Sequence, residues 1–149
     1  MQSIRIYEIP ECKMVSSGVG MFGEGTLEKF DQWLSQLPRG IYPKDFLYWD
    51  DASDERQGFH WLHLYEDGMS VPDEFSIIHF QGGLYAVATD IDQQTDMEAL
   101  NTEIDAFLIK NGFYRDTSRP SLGNIITSPR VRETLGYEQM NYWIPIMKK

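Results

Sequence analysis

Residues Phe80–Ile91 read FQGGLYAVATDI, and Gln93–Gly112 read QQTDMEALNTEIDAFLIKNG. The first stretch predicts a Gly-Gly turn feeding a strand, Leu84-Tyr85-Ala86-Val87-Ala88. The second predicts a helix with a marked start. Thr95 followed by Glu98 has capping-box spacing: the Thr hydroxyl takes an orphan amide and the Glu reaches back to the cap's own N–H. Met97, Leu100, Ile104, Phe107 and Leu108 then fall on one helical face. Asn111-Gly112 closes the helix as a left-handed C-cap requires.

The same unit occurs a second time. Met14-Val15 aligns with Ala86-Val87, and Phe30-Asp31-Gln32-Trp33-Leu34 with Ile104-Asp105-Ala106-Phe107-Leu108. Pro43–Tyr48 takes the place of Pro120–Ile125, and His60–Tyr65 (HWLHLY) the place of Met140–Pro145 (MNYWIP). Strand–helix–strand–strand is therefore expected twice, in halves of roughly 1–75 and 76–149, as one pseudo-twofold domain.

Between these landmarks the chain alternates short strands and polar loops. Ile4–Ile9 reads as a strand that Pro10 interrupts and Lys13 resumes. Gly18–Gly25 carries four glycines. No Gly-Lys-Ser/Thr follows, so it reads as a flexible link rather than a phosphate loop. Thr26 is the expected N-cap of a helix whose apolar face is Leu27, Phe30, Trp33, Leu34 and Leu37, stopped by Pro38-Arg39-Gly40. Strands are expected at Phe46–Asp50, Phe59–Tyr65, Ser76–Phe80, Leu122–Ser128 and Gln139–Met147. Loops are expected at Asp50–Gly58, Glu66–Glu74 and Tyr114–Ser121, and a helical turn from Pro129 to Gly136. Two helices and six to eight strands make an α+β domain with a largely antiparallel sheet.

At 149 residues, 42% hydrophobic and 24% charged, the chain is globular in composition and long enough for a real core. No apolar run reaches bilayer length, and no leader pattern follows Met1. A single cysteine, Cys12, fits a reducing compartment, so a cytoplasmic protein is expected. Acids outnumber bases by 23 to 13, a net charge of −10. That balance opposes direct nucleic-acid binding, which needs a basic face. The acidic excess peaks over Asp45–Glu74, with nine acids against Lys44 and Arg56. It reads either as a solvated surface or as a field drawing cationic ligands.

Signals for catalysis are sparse. His60 and His63 lie three apart on a strand, so their rings point to opposite faces, which opposes a metal site. His79 stands alone beside a glycine turn. Cys12 has no adjacent activating base and reads as an idle thiol. Nucleophile-elbow spacing is absent. From the residues, no catalytic set, metal site or cofactor is expected.

Three features resemble the GyrI-like, or AraC-type effector-binding, domains: Gly-Gly-Leu-Tyr-Ala-Val before the second helix, Phe107-Leu108-x-x-x-Gly112 at its end, and the closing Tyr142-Trp143-Ile144-Pro145-Ile146. The resemblance implies two β-α-β-β halves with a ligand groove between them. It further implies a bacterial, small-molecule-sensing role in transcription regulation or in multidrug and stress response. Members include stand-alone proteins that bind or sequester small molecules or inhibit gyrase, and a few hydrolases of reactive compounds. A topoisomerase or a regulator is thus an implied protein partner.

The family's ligand-contact pattern transfers unevenly. Cation-binding members carry Glu-x-aromatic-x-Pro in the last strand; here Asn141 replaces the acid. A second acid three residues after a proline is replaced by Gly123. Glu138 and Glu66 are the candidate substitutes, and with Tyr65 they are the candidate groups of a hydrolase, where an acid of raised pKa would activate water. Strand parity puts Trp143 with Asn141, and the repeat puts Trp61 and His63 in the matching places, with Tyr48 and Tyr65 nearby. These aromatics are expected either as core or as a groove for an apolar aromatic ligand, neutral or cationic.

Overall fold

The computed structural model describes residues 3–38, 40–53 and 56–149. Among them are nine strands and three helices, in the order β1 (Arg5–Ile9), β2 (Cys12–Gly20), α1 (Thr26–Leu34), β3 (Asp45–Ser53), β4 (Arg56–Leu64), β5 (Ser76–Phe80), β6 (Gly83–Ile91), α2 (Met97–Asn111), β7 (Phe113–Arg115), β8 (Leu122–Ile125), α3 (Pro129–Leu135) and β9 (Gln139–Lys148). The strand pairings within each unit are antiparallel, so the fold is α+β, as expected. The chain divides into two compact units: the segment through Ile9 with Gly83–Lys149, and Pro10–Gly82.

In the Pro10–Gly82 unit the strands run β3-β4-β2-β5. Its core gathers Val15, Phe30, Trp33 and Phe75, with Trp61, Tyr65, Met69 and Val71 packed against them. Phe30 is the hub: its ring centroid lies 5.0 Å from Phe75, 5.4 Å from Trp33 and 5.8 Å from Trp61. The glycine stretch is not a link from Gly18 onward. β2 runs on to Gly20 through a register break between Ser16 and Val19, with Gly18 at φ 77°. Nor is Thr26 the cap of α1. Gly25 is, at φ 105°, and the Glu28 carboxylate accepts its N–H at 2.8 Å. Glu28 also accepts from Gly23, so one carboxylate gathers the amides that lead into the helix.

The polar loop expected over Asp50–Gly58 is largely strand: β3 continues to Ser53 and β4 begins at Arg56. Asp54 and Glu55 of that stretch, and Arg39 of the expected helix stop, lie outside the described residues.

In the other unit the order is β1-β6-β9-β8, with β7 also on β9. Helix α2 lays Leu100, Ile104 and Leu108 on Ala86, Ala88, Ile144 and Ile146. Its cap is Asp96 rather than Thr95: Asp96 Oδ1 accepts from the Ala99 amide at 3.1 Å. Thr95 is engaged elsewhere, donating to Ile91 O and accepting from Tyr142 OH. Gly112 closes α2 at φ 78°, as expected. The turn expected after Pro129 is a true helix, α3, capped by Ser128 and closed by Gly136. The loop expected from Tyr114 is in part β7.

Strand–helix–strand–strand occurs twice, as β2-α1-β3-β4 and β6-α2-β8-β9. The leading strands cross over: β1 pairs β6, and β5 pairs β2. Each therefore completes the sheet of the other repeat.

Candidate functional site

Strand β9 sorts its residues by parity. Tyr142, Ile144 and Ile146 turn to α2. Asn141, Trp143 and Pro145 take the opposite face. Register puts Trp143 across from Val87 on one side and Leu122 on the other, and Asn141 between Thr89 and Asn124. Strand β1 adds Arg5 and Tyr7 to the same face, opposite Val87 and Tyr85.

An aromatic row results. Trp143 has its ring centroid 5.8 Å from Tyr7 and 5.9 Å from Tyr85. Its indole N–H donates to Asn124 Oδ1 at 3.0 Å, which fixes the ring in the strip. A polar chain runs beside it: Arg5 Nη2 donates to Thr89 Oγ1 at 2.9 Å, and Thr89 donates to Asn141 Oδ1 at 2.6 Å. Asn124 is buried and Trp143 and Asn141 are half-buried, whereas Tyr7 is 45% exposed. The charge next to Asn141 is thus the Arg5 guanidinium, which also lies 5.7 Å over the Tyr7 ring. Tyr85 is buried beneath the row, so Tyr7 and Trp143 are the rings offered to a flat apolar molecule, beside a guanidinium that opposes a cation.

The residues expected to match these in the first repeat are placed differently. Trp61 and His63 face α1. Trp61 packs on Phe30 and donates its indole N–H to Asp45 Oδ2 at 2.9 Å. The His63 ring meets Trp33 edge-on at 6.0 Å, and its Nδ1 lies 2.8 Å from Leu64 O. Tyr65 also belongs to this core. Tyr48 is on the other face, stacked on His60 at 4.9 Å and 11°. The alignment of HWLHLY with MNYWIP is one residue out of phase, and a one-residue slip turns every side chain to the opposite face. Trp61 corresponds in packing to Tyr142, not to Asn141.

The candidate acids are engaged. Lys44 Nζ lies 2.7 Å from Glu66 Oε1, and that hydrogen bond and charge hold the Glu66 carboxyl below its ordinary pKa. This is the opposite of the raised value a water-activating acid needs. Glu138 lies 3.6 Å from Arg132 Nε. Burial pushes the Cys12 thiol up, toward the inert form. An open cleft of about 570 Å³ between the end of α1 and the following 66–72 loop is lined by Trp33, Leu37, Glu66, Met69 and Val71, among others. Of the predicted residues only Glu66 reaches it. Among the described residues no three His, Cys, Asp or Glu groups gather as a metal site, and no helix is long and apolar enough to cross a membrane.

No family model matches the chain, and no curated protein does. Solved structures do. The C-terminal domain of EcmrR matches over 100% of this chain and 99% of its own, at TM-score 0.63 and 13% identity. EcmrR in its DNA complex matches at TM-score 0.67 and 12% identity, and this chain spans 58% of that chain. A hydrolase from Listeria innocua matches over 97% of this chain and 92% of its own, at TM-score 0.68 and 11% identity. SAV2435, solved with bound tetraphenylphosphonium, matches over 97% and 94%, at TM-score 0.56 and 10% identity. At such identities the likeness is one of fold: this chain has the α+β fold of the EcmrR C-terminal domain and of SAV2435.

Proposed function

We propose that this protein is a GyrI-like, effector-binding protein that senses or sequesters a planar, apolar aromatic molecule in the cytoplasm, in a regulatory or drug-response role. One observation carries the reading: the Tyr7–Trp143–Tyr85 row with its indole tied to Asn124 and its border of Asn141, Thr89 and Arg5. Support comes from the sequence resemblance and from the shared fold with SAV2435, which holds a lipophilic cation. The bordering groups differ from what a cation needs. With an amide at Asn141 and a guanidinium beside it, a neutral ligand is preferred.

A matched pair of flat probes tests this: acridone, neutral, and 9-aminoacridine, cationic, titrated by calorimetry. Saturable acridone binding that weakens at least about tenfold in Trp143→Ala, about 1.4 kcal/mol, is the expected result. Equal acridone affinity in the variant, or tighter binding of 9-aminoacridine, would overturn the site or the charge preference respectively.

A further inference from the structure

Three side chains distant in sequence meet on the face of the Pro10–Gly82 sheet turned away from α1. Ser16 comes from β2, Asp50 from β3 and His60 from β4. Ser16 Oγ lies 3.4 Å from His60 Nδ1, and Asp50 Oδ2 lies 2.8 Å from His60 Nε2. Nε2 is buried without a well-aligned acceptor, so Asp50 acts on it by charge at ion-pair distance. A carboxylate on that side favours the proton at Nε2. Nδ1 is then the lone-pair nitrogen, and the Ser16 hydroxyl is the donor to it.

The surroundings hold this order in place. Tyr48 stacks flat on the imidazole and sets its plane. Burial first, and the Asp50 charge second, raise the Tyr48 phenol pKa, which keeps it neutral. The Gly18 amide donates to Ser16 Oγ at 3.1 Å. Register breaks between Ser16 and Val19, where Gly18 takes φ 77°. Such bulges re-aim a side chain and are over-represented beside active sites. Ser16 is 3% exposed, and the His60 and Asp50 side chains are 17% and 24% exposed. Ser16 is therefore buried, and the centre meets solvent only at the His60 and Asp50 edge, which closes it to a bulky acyl group.

We propose that Ser16, His60 and Asp50 form a hydrolytic centre for small, activated carboxylic esters. Ser16 Oγ attacks the ester carbonyl carbon as its proton passes to His60 Nδ1. The tetrahedral adduct collapses, the C–O bond to the alcohol breaks, and the leaving alkoxide takes the proton from Nδ1. Water then attacks the acyl-Ser16 ester, gives a proton to Nδ1, and that proton returns to Ser16 Oγ. An ester and a water yield an acid and an alcohol, with no change of oxidation state. Ser16 and His60 are the catalytic residues. Asp50 is a positioning residue that holds the tautomer and stabilises the imidazolium. The ring nitrogens are exchanged relative to the usual serine–histidine–aspartate order. The chemistry needs a lone pair toward the serine and a carboxylate charge beside the other ring nitrogen.

An inert polar pair filling the sheet would predict lost stability on mutation and no acyl chemistry. The deciding experiment uses the intact wild-type chain, so it does not depend on a variant folding. The protein is treated with a small alkyl fluorophosphonate and the adduct mapped by mass spectrometry, in parallel with 4-nitrophenyl acetate turnover. The expected result is a single adduct on Ser16, a burst of 4-nitrophenolate equal to the protein, and loss of both in Ser16→Ala and His60→Gln. Asp50→Asn is expected to lower kcat by about a hundredfold or more with KM little changed. Absence of an adduct, an adduct on another residue, or turnover no faster than free imidazole would overturn the proposal. No aromatic ligand is involved, so the outcome is independent of the Trp143 site.

Discussion

The Arg119 guanidinium lies 4.8 Å over the centroid of the Tyr85 ring. It also donates from Nη2 to the carbonyls of Leu84 and Ile146, both at 2.9 Å, and from Nε to Asp116 Oδ2 at 2.8 Å. One cation thus ties β6 and β9 to the loop before β8, and its side chain is only 8% exposed.

Gly83 is where that cation needs room. Its φ is 125°, and a Cβ there would meet Arg119 Nη1 and Cζ. Gly83→Ala combines a disfavoured backbone with a displaced guanidinium that has several bonds to lose. We expect a loss of about 2 kcal/mol or more in urea denaturation. A change under about 0.5 kcal/mol would mean that Arg119 moves aside freely.

Arg119→Lys tests whether the fork or the charge matters. A lysine ammonium cannot serve two carbonyls, a carboxylate and a ring face from one plane. We expect a destabilisation of roughly 1–3 kcal/mol. Wild-type stability in this variant would reduce Arg119 to a point charge.

Asp116 gives this region an acid limb. The Ser118 hydroxyl first, then the Arg119 hydrogen bond, lower its carboxyl to about 2. An unfolded Asp titrates near about 3.9. The folded value is depressed, so the contribution is present above about pH 4 and is lost as pH falls toward about 2. Stability measured in steps across that window should fall less steeply in Asp116→Asn than in wild type. Superimposable acid limbs would exclude Asp116 as a source of acid sensitivity.

At the start of α2 the two neighbouring candidates separate by amide exchange. Asp96→Ala should speed exchange at Ala99, whose N–H it accepts, at a cost of about 1 kcal/mol. Thr95→Ala should leave Ala99 protected while freeing Tyr142 OH. The reverse pattern would restore Thr95 as the cap.

Trp61 and Trp143 should part company in the same way. Trp61→Ala removes a ring packed on Phe30 and an N–H on Asp45, so roughly 3 kcal/mol of stability should go, with acridone affinity unchanged. Trp143→Ala should cost more in affinity than in stability. If Trp61→Ala abolishes binding in a protein that remains folded, the expected division of roles is wrong.

Local patterns decided a large part of this protein. The period of Leu100, Ile104 and Leu108, the Gly112 stop, the Gly82-Gly83 turn and the alternation along β9 are short-range facts, legible because each depends on residues within a few positions. They sufficed for two strand–helix–strand–strand repeats, an α+β fold and the face of β9 that carries Trp143. What tertiary structure decided depends on contacts that no local window contains. Whether Trp61 or His60 faces α1 turns on a one-residue phase that packing against Phe30 settles, opposite to the phase in which HWLHLY matches MNYWIP. The crossing of β1 to β6 and β5 to β2 depends on edge partners 60 or more positions away. Ser16 and His60 are 44 positions apart and meet because β2 pairs with β4, which sets Ser16 opposite Leu62 and one diagonal step from His60 on the same face. Backbone periodicity sets which side chains share a face; only the assembled sheet sets which faces they share it with.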